Sequence, residues 1–111
     1  MNMEKLVANV EQWAEERGIL AEATPLDQFD KTMEEVGELE EDLELQQSGD
    51  DIKKNLKGSI KDDIGDITVT LIIQAKMQGL SFTDCLAYAW NEIKDRRGEM
   101  RGGQFVKEVE G

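Results

Sequence analysis

The sequence predicts an all-α domain, a bundle of four to five helices with a short hairpin at its C-terminal end. Three observations predict it. Glu, Lys, Leu and Ala are abundant and there is a single proline in 111 residues, a mixture that favours helix. Apolar residues recur three and four apart in four separate stretches, the period of a helix with one buried face. Capping residues or glycines stand at the ends of those stretches. The length suits one domain with one modest core. The helical part is expected over residues 1–98, with 99–111 a hairpin or tail of the same domain. So small a bundle buries little surface alone, and self-association is expected.

The first helix is expected from about Met3 to Arg17, with Leu6, Val7, Val10, Trp13 and Ala14 as its buried stripe and Gly18 as its stop. Ile19 to Ala23 read as an apolar connection packed against the body. Thr24 caps a second helix whose first residue is Pro25, where the missing N–H costs nothing. Its apolar stripe is Phe29, Met33, Val36, Leu39 and Leu43. An adjoining polar stripe holds Gln28, Lys31, Glu35, Glu38 and Asp42, and Gln46 to Gly49 end the helix. Asp50 or Asp51 is placed to cap a third helix, in which Ile52, Leu56, Ile60, Ile64, Ile67 and Leu71 repeat; Gly58 is a candidate break or late helix start. Beyond Ile64 this helix is apolar on several sides, as central helices are. Gly79 ends it, and Ser81-Phe82-Thr83-Asp84 reads as a capping box. The fourth helix carries Phe82, Leu86, Ala89, Trp90 and Ile93 on one face, and Gly102-Gly103 turns the hairpin. Trp13 and Trp90 lie on apolar stripes and are read as core or dimer contacts.

Charge excludes several functions. Thirteen basic and 25 acidic residues leave a net charge of −12, which repels nucleic-acid backbones and anionic membranes. There is no histidine, so His-based catalysis and His metal ligands are absent. Cys85 is the only cysteine, which fits a reducing, cytoplasmic setting. The N-terminal residues show no secretory signal pattern, and the Ile67–Ala75 apolar run is too short to span a bilayer.

The acidic residues are arranged as well as abundant. Glu35 and Glu38 project from one face of the second helix, and Asp63 and Asp66 from one face of the third. If these helices run antiparallel, four carboxylates meet at one point. Two carboxylates about 5 Å apart repel by roughly 3 kcal/mol at an effective dielectric of about 20, so the group needs protons or a cation. Hard oxygen donors on rigid helices suit Mg²⁺, with Mn²⁺ as substitute. Asp63 and Asp66 border the most apolar helix, where unpaired carboxylates are expensive. Lys94, Arg96, Arg97, Arg101 and Lys107 crowd the end of an otherwise acidic chain, and Lys31 lies one turn before Glu35. They are natural phosphate contacts.

At these residues the chain resembles the MazG-like, all-α nucleoside triphosphate pyrophosphohydrolases, a superfamily that includes dimeric dUTPases and phosphoribosyl-ATP pyrophosphatases. The likeness rests on Glu34-Glu35-Val36-Gly37-Glu38 followed, after a gap, by Asp63-Ile64-Gly65-Asp66. It extends from Gln28 and Lys31 to Asn91-Glu92-Ile93-Lys94-Asp95-Arg96-Arg97. Asp63 stands where the family has glutamate. The resemblance implies a MazG-like bundle, Mg²⁺ ligation by Glu35, Glu38, Asp63 and Asp66, and catalytic roles for Glu34, Glu35 and Glu38, with Glu34 supporting the site or positioning the attacking water. It also implies phosphate or nucleotide contacts from Lys31, Asn91, Lys94 and Arg97. The implied reaction converts a (d)NTP to (d)NMP and pyrophosphate in a homodimer or homotetramer. Two alternatives remain: a narrower enzyme acting on dUTP, dCTP or phosphoribosyl-ATP, and a catalytically inactive helical dimerisation or adaptor module of the same fold.

Overall fold

The computed structural model describes residues 1–49 and 56–109, with side chains described from Gly58 in the second stretch. Five helices are followed by one hairpin: α1 Met3–Glu16, α2 Ile19–Glu22, α3 Pro25–Ser48, α4 Leu56–Met77, α5 Phe82–Ile93, β1 Gly98–Arg101 and β2 Gln104–Lys107. The all-α class and the C-terminal hairpin are as expected. No described helix is long and apolar enough to cross a membrane.

Local sequence explains most boundaries. Asn2 caps α1, its Oδ1 accepting from the Lys5 amide at 2.8 Å. The segment after Gly18, expected as a connection, is one helical turn, α2. At the start of α3 the Thr24 hydroxyl accepts from the Asp27 amide at 3.1 Å, and the Asp27 carboxylate accepts from the Thr24 amide at 2.9 Å. This reciprocal box satisfies two amides that a helix start leaves open. Helix α4 is described from Leu56, two residues before Gly58, and runs through that glycine without a break; the proposed Asp50 or Asp51 cap and Ile52 lie outside the described residues. Ser81 stands before α5 but makes no side-chain cap. Its hydroxyl instead pairs with that of Thr83 at 2.8 Å, which overturns the expected capping box. The strands pair antiparallel from Gly98 opposite Lys107 to Arg101 opposite Gln104. Gly102 and Gly103 turn the chain with φ of 55° and 83°, a region that a two-residue hairpin loop needs and other residues avoid. A Cβ at Gly98 would lie 2.2 Å from the Val106 carbonyl oxygen, so only glycine fits there.

The dominant packing is α3 against α4, with α1 laid across α4 and α5 resting on α4 and α1. Here the structure departs from the expected core. Helix α3 turns its polar stripe, not its apolar one, toward α4. The Gln74 side-chain amide donates to the Pro25 carbonyl at 2.9 Å, and that of Gln28 donates to the Thr70 carbonyl at 3.1 Å. Thr32 donates to the Thr70 hydroxyl at 2.9 Å, and Thr70 donates on to the Ile67 carbonyl at 2.7 Å. Gln28, Thr32, Asp63 and Thr70 are all buried. Ascending α3 thus meets descending α4, and the two helices are antiparallel.

The apolar stripes pay for this orientation in exposure. Phe29, Met33, Val36 and Leu43 of α3 are exposed, as are Ile64 and Leu71 of α4. On α5, Leu86, Trp90 and Ile93 are exposed, and no residue of that helix is buried. The buried apolar core is Val7 and Ala14 of α1 with Ile72, Ile73 and Ala75 of α4. Trp13 is 44% and Trp90 58% exposed, so neither is a core residue of the single chain. The radius of gyration is 17.0 Å, well above the roughly 13 Å of a compact domain of this length. One chain alone leaves its apolar faces uncovered.

Candidate metal centre

The antiparallel pairing that begins with Pro25 and Gln74 continues along the helices. About three to four turns further up α3, Glu35 and Glu38 face Asp66 of α4. Each offers one carboxylate oxygen, and these three oxygens lie within 4.8 Å of one another. Glu35 is the enclosed member, with its side chain 12% exposed. Its Oε1 accepts an ion pair from Lys31 Nζ at 3.5 Å, while its Oε2 is buried without a hydrogen-bond partner. Lys31 also reaches Glu34 Oε2 at 3.3 Å. Glu34 is exposed and engages Lys31 rather than the acidic cluster.

Protonation equilibria carry the mark of this crowding. The charge of Glu35, and a hydrogen bond with it, raise the Glu38 pKa above the ordinary value, with smaller contributions from burial, Glu34 and Asp66. Burial raises that of Asp66, helped by Asp62 and Glu35 and opposed by Lys31. The Lys31 ammonium is held above its ordinary value, first by Glu34 and then by Glu35.

Asp63, expected as the fourth member, lies outside this three-residue group. It is one turn before Asp66 and meets Asp42, one turn beyond Glu38. Asp63 is 5% exposed, and its Oδ2 is buried without a hydrogen-bond partner. A hydrogen bond with the Asp42 carboxyl, burial, and the charges of Asp42, Glu38 and Asp62 push the Asp63 pKa up to about 6. The shorter aspartate side chain, where the resembled motif has glutamate, leaves the group one methylene less reach toward the other three. Asp42 is the residue that motif reasoning missed. Its signal was present: it continues the polar stripe of Glu35 and Glu38 at helical spacing.

The expected phosphate contacts divide. Lys31 is beside the carboxylates. Asn91 and Lys94 are exposed at the end of α5, and Arg97 follows them. Arg97 lines a cleft of about 820 Å³ with Glu92, Asp95, Arg96 and Lys107, between the end of α5 and the hairpin. Among the described residues, no hydrogen bond or ion pair joins Asn91, Lys94 or Arg97 to the carboxylates of α3 and α4.

The donor set fits a hard divalent cation: three carboxylates on two rigid helices, one with a buried oxygen that lacks a partner. A buried acceptor of this kind is costly unless something satisfies it.

Comparison with known proteins adds one relative. The chain is 44% identical over 75 residues, 68% of its length, to an uncharacterized 18.2 kDa protein in the rep-hol intergenic region of Haemophilus phage HP1. That stretch covers 40% of the phage protein, so the chain spans well under half of that relative. No family model matches the chain, and no solved structure matches it significantly.

Proposed function

We propose that this chain is a Mg²⁺-dependent nucleotide pyrophosphohydrolase of the MazG-like kind, converting a (d)NTP to (d)NMP and pyrophosphate. The observation that carries this reading is the approach of Glu35, Glu38 and Asp66 to within 4.8 Å across the α3–α4 seam. The resemblance of Glu34–Glu38 and Asp63–Asp66 to the pyrophosphohydrolase motif supplies the reaction. Glu35, Glu38 and Asp66 would hold the cation, with Asp63 close by. A bound Mg²⁺ supplies charge neutralisation for the phosphates and lowers the pKa of a ligated water.

The chain's own residues have separate tasks. Glu35 is fixed by Lys31 and by burial, so its unpartnered oxygen is oriented before any ligand arrives. Glu34, exposed at the rim, would orient the attacking water by accepting a hydrogen bond from its O–H. Lys31 would exchange its Glu34 contact for a substrate phosphate oxygen, and Lys94 and Arg97 would steady charge developing on the leaving group. Asn91 would contact the nucleotide.

The α5 residues are proposed to reach the site from a second copy of the chain. The exposed faces of α3, α4 and α5 support a homodimer or homotetramer: Val36, Leu39 and Leu43 line a shallow groove of about 290 Å³ along α3, and such stripes are costly to leave in water. Those same faces favour a second reading, a helical dimerisation or adaptor module without turnover. The cytoplasm is the proposed location.

The test is incubation with each NTP and dNTP plus Mg²⁺, with pyrophosphate assayed separately from phosphate. Pyrophosphate release from at least one nucleotide is expected. Mg²⁺-independent phosphate release would reject the pyrophosphohydrolase reading; release of neither product, from these nucleotides or from phosphoribosyl-ATP, would leave the adaptor.

A further inference from the structure

The C-terminal hairpin stands apart from the helices. The main packing of each strand is with the other strand, and every residue of β1 and β2 is exposed. Met100 and Phe105, which lie opposite one another, are 66% and 52% exposed. Two strands alone are marginal in water; a further strand or a covering helix is what makes a hairpin stable. The backbone shows where a further strand can add. In a two-residue loop such as Gly102-Gly103 the closing residues, Arg101 and Gln104, exchange hydrogen bonds. Bonded and unbonded pairs then alternate along an antiparallel ladder, so Glu99 and Val106 are a bonded pair. The Glu108 amide donates to the Arg97 carbonyl at 2.7 Å, which continues the alternation. Gly98 and Met100 on β1, and Phe105 and Lys107 on β2, therefore turn their N–H and C=O groups away from the hairpin. Among the described residues, no backbone group outside the hairpin bonds to them.

The two edges differ in side chains. The β2 edge carries Lys107 among its outward residues, and lysine is a residue that wards off strand addition. Strand β1 carries Glu99 and Arg101, which share one side of the sheet and pair with each other within the strand. This spacing is self-complementary. Let β1 lie antiparallel to a second β1, with a two-fold axis at Met100. Glu99 then falls opposite the partner's Arg101, and Arg101 opposite the partner's Glu99. Met100 meets the partner's Met100 as a bonded pair, the kind its outward N–H and C=O require. On the other side of the sheet, Phe105 and Met100 of each copy join into one row of four apolar side chains across four strands. The same operation on β2, centred on Phe105, sets Gln104 opposite the partner's Val106 and matches no charges.

We propose that the outer edge of β1 is an interaction surface for a second copy of this chain, the two β1 strands pairing antiparallel about Met100. The product is a four-stranded sheet ordered β2–β1–β1–β2, shared by two chains. Opposite charges and apolar side chains facing one another across strands both favour the pairing. The surface is separate from the exposed helix faces of α3, α4 and α5, and it does not depend on the pyrophosphohydrolase reading. It also gives the hairpin the neighbouring strand that its own chain does not supply.

The test is disulfide trapping in the full chain carrying Cys85→Ser, so that each added cysteine is the only one. Paired Met100 residues would have Cα atoms about 5.5 Å apart, within the roughly 4.4–6.8 Å that a disulfide spans. Met100→Cys is expected to oxidise to a covalent dimer, and Gln104→Cys, on the outer strand, to stay monomeric on a non-reducing gel. Adding Glu99→Arg to Met100→Cys sets like charges opposite one another and should cut the trapped fraction severalfold. Adding Arg101→Glu as well restores the match and should restore the dimer. Should Glu99→Arg lose helix content by circular dichroism, Arg101→Glu alone makes the equivalent clash and decides. Absence of a dimer from Met100→Cys overturns the proposal. So does equal trapping in Gln104→Cys, or a double reversal that fails to recover what the single one removes.

Discussion

Replacing Asp63 with asparagine separates the stability of the metal-free protein from its affinity for metal. The substitution keeps the shape of the side chain, removes a charge among Asp42, Glu38 and Asp62, and gives the Asp42 carboxylate an N–H donor. In the wild type the Asp63 pKa rises from the ordinary 3.8 to about 6. The folded protein therefore holds a proton that the unfolded chain releases, so stability falls as pH rises from about 4 to about 6 and stays low above that. At about 1.4 kcal/mol per tenfold change in proton affinity, the rise of roughly two powers of ten sets an upper bound of about 3 kcal/mol. Water near the exposed Glu38 and Asp62 screens part of this, leaving about 1–2 kcal/mol. Asp63→Asn should then melt roughly 4–8 °C higher than the wild type in EDTA at pH 7.5. Its melting temperature should also fall less between pH 4 and 6; Glu38 and Asp66, shifted in the same direction, preserve the remainder. In saturating Mg²⁺ the order should narrow or invert, because the wild type gains more from the cation. Thermal melts by circular dichroism across that pH range, with EDTA and with Mg²⁺, measure all three. A lower melting point for Asp63→Asn in EDTA, or an undiminished pH slope, would refute the reasoning.

Glu38→Ala and Asp66→Ala should each depress pyrophosphate release by more than the roughly 10–100-fold typical of residues that only support a metal ligand, while far-UV circular dichroism stays unchanged. Val36→Asp and Leu43→Asp, on the exposed stripe of α3, should shift sedimentation from an oligomer toward the 12.5 kDa monomer and leave helix content intact at high concentration. Thr24→Ala removes half of the capping box and should cost about 1 kcal/mol in urea unfolding. Asp27, whose pKa the Thr24 backbone and hydroxyl hold low, contributes in the opposite sense to Asp63: its stabilisation is present above about pH 4 and lost as pH falls below its folded value. In Thr24→Ala that acid-side loss should be smaller.

The elements were legible because their signals are local. Thr24-Pro25 and Asp27 fix the start of α3 through neighbouring amides, and Gly102-Gly103 fix a turn through their own torsions. The side from which α3 meets α4 was not legible by the same means. A stripe of Phe29, Met33, Val36, Leu39 and Leu43 marks a face that avoids water, but periodicity does not say whether the cover is another part of the same chain. The structure gives that contact to Gln28, Thr32 and Thr70, because their side chains satisfy one another and a backbone carbonyl across the seam. Site residues followed the same division. Glu35, Glu38 and Asp66 are brought together by helical spacing, readable in advance, and by antiparallel packing, which spacing posed only as a condition. Asp63 meets Asp42, the next acid of the α3 polar stripe beyond Glu38. Asn91, Lys94 and Arg97 depend on where α5 sits, which no spacing within that helix reports.

The Gln28–Thr70 and Thr32–Thr70 bonds bear on chemistry several residues away. Leucine side chains let two helices slide by fractions of an ångström with small change in energy, whereas a hydrogen bond weakens over the same displacement. Bonding between helices thus acts as a stop against axial slip, holding the acidic groups in step although none of the three residues touches them. Drift at Thr70 would be transmitted along α4 to Asp66 as a change in the distance between oxygens, so the fidelity of the cation site is set partly from the neighbouring turn of the seam.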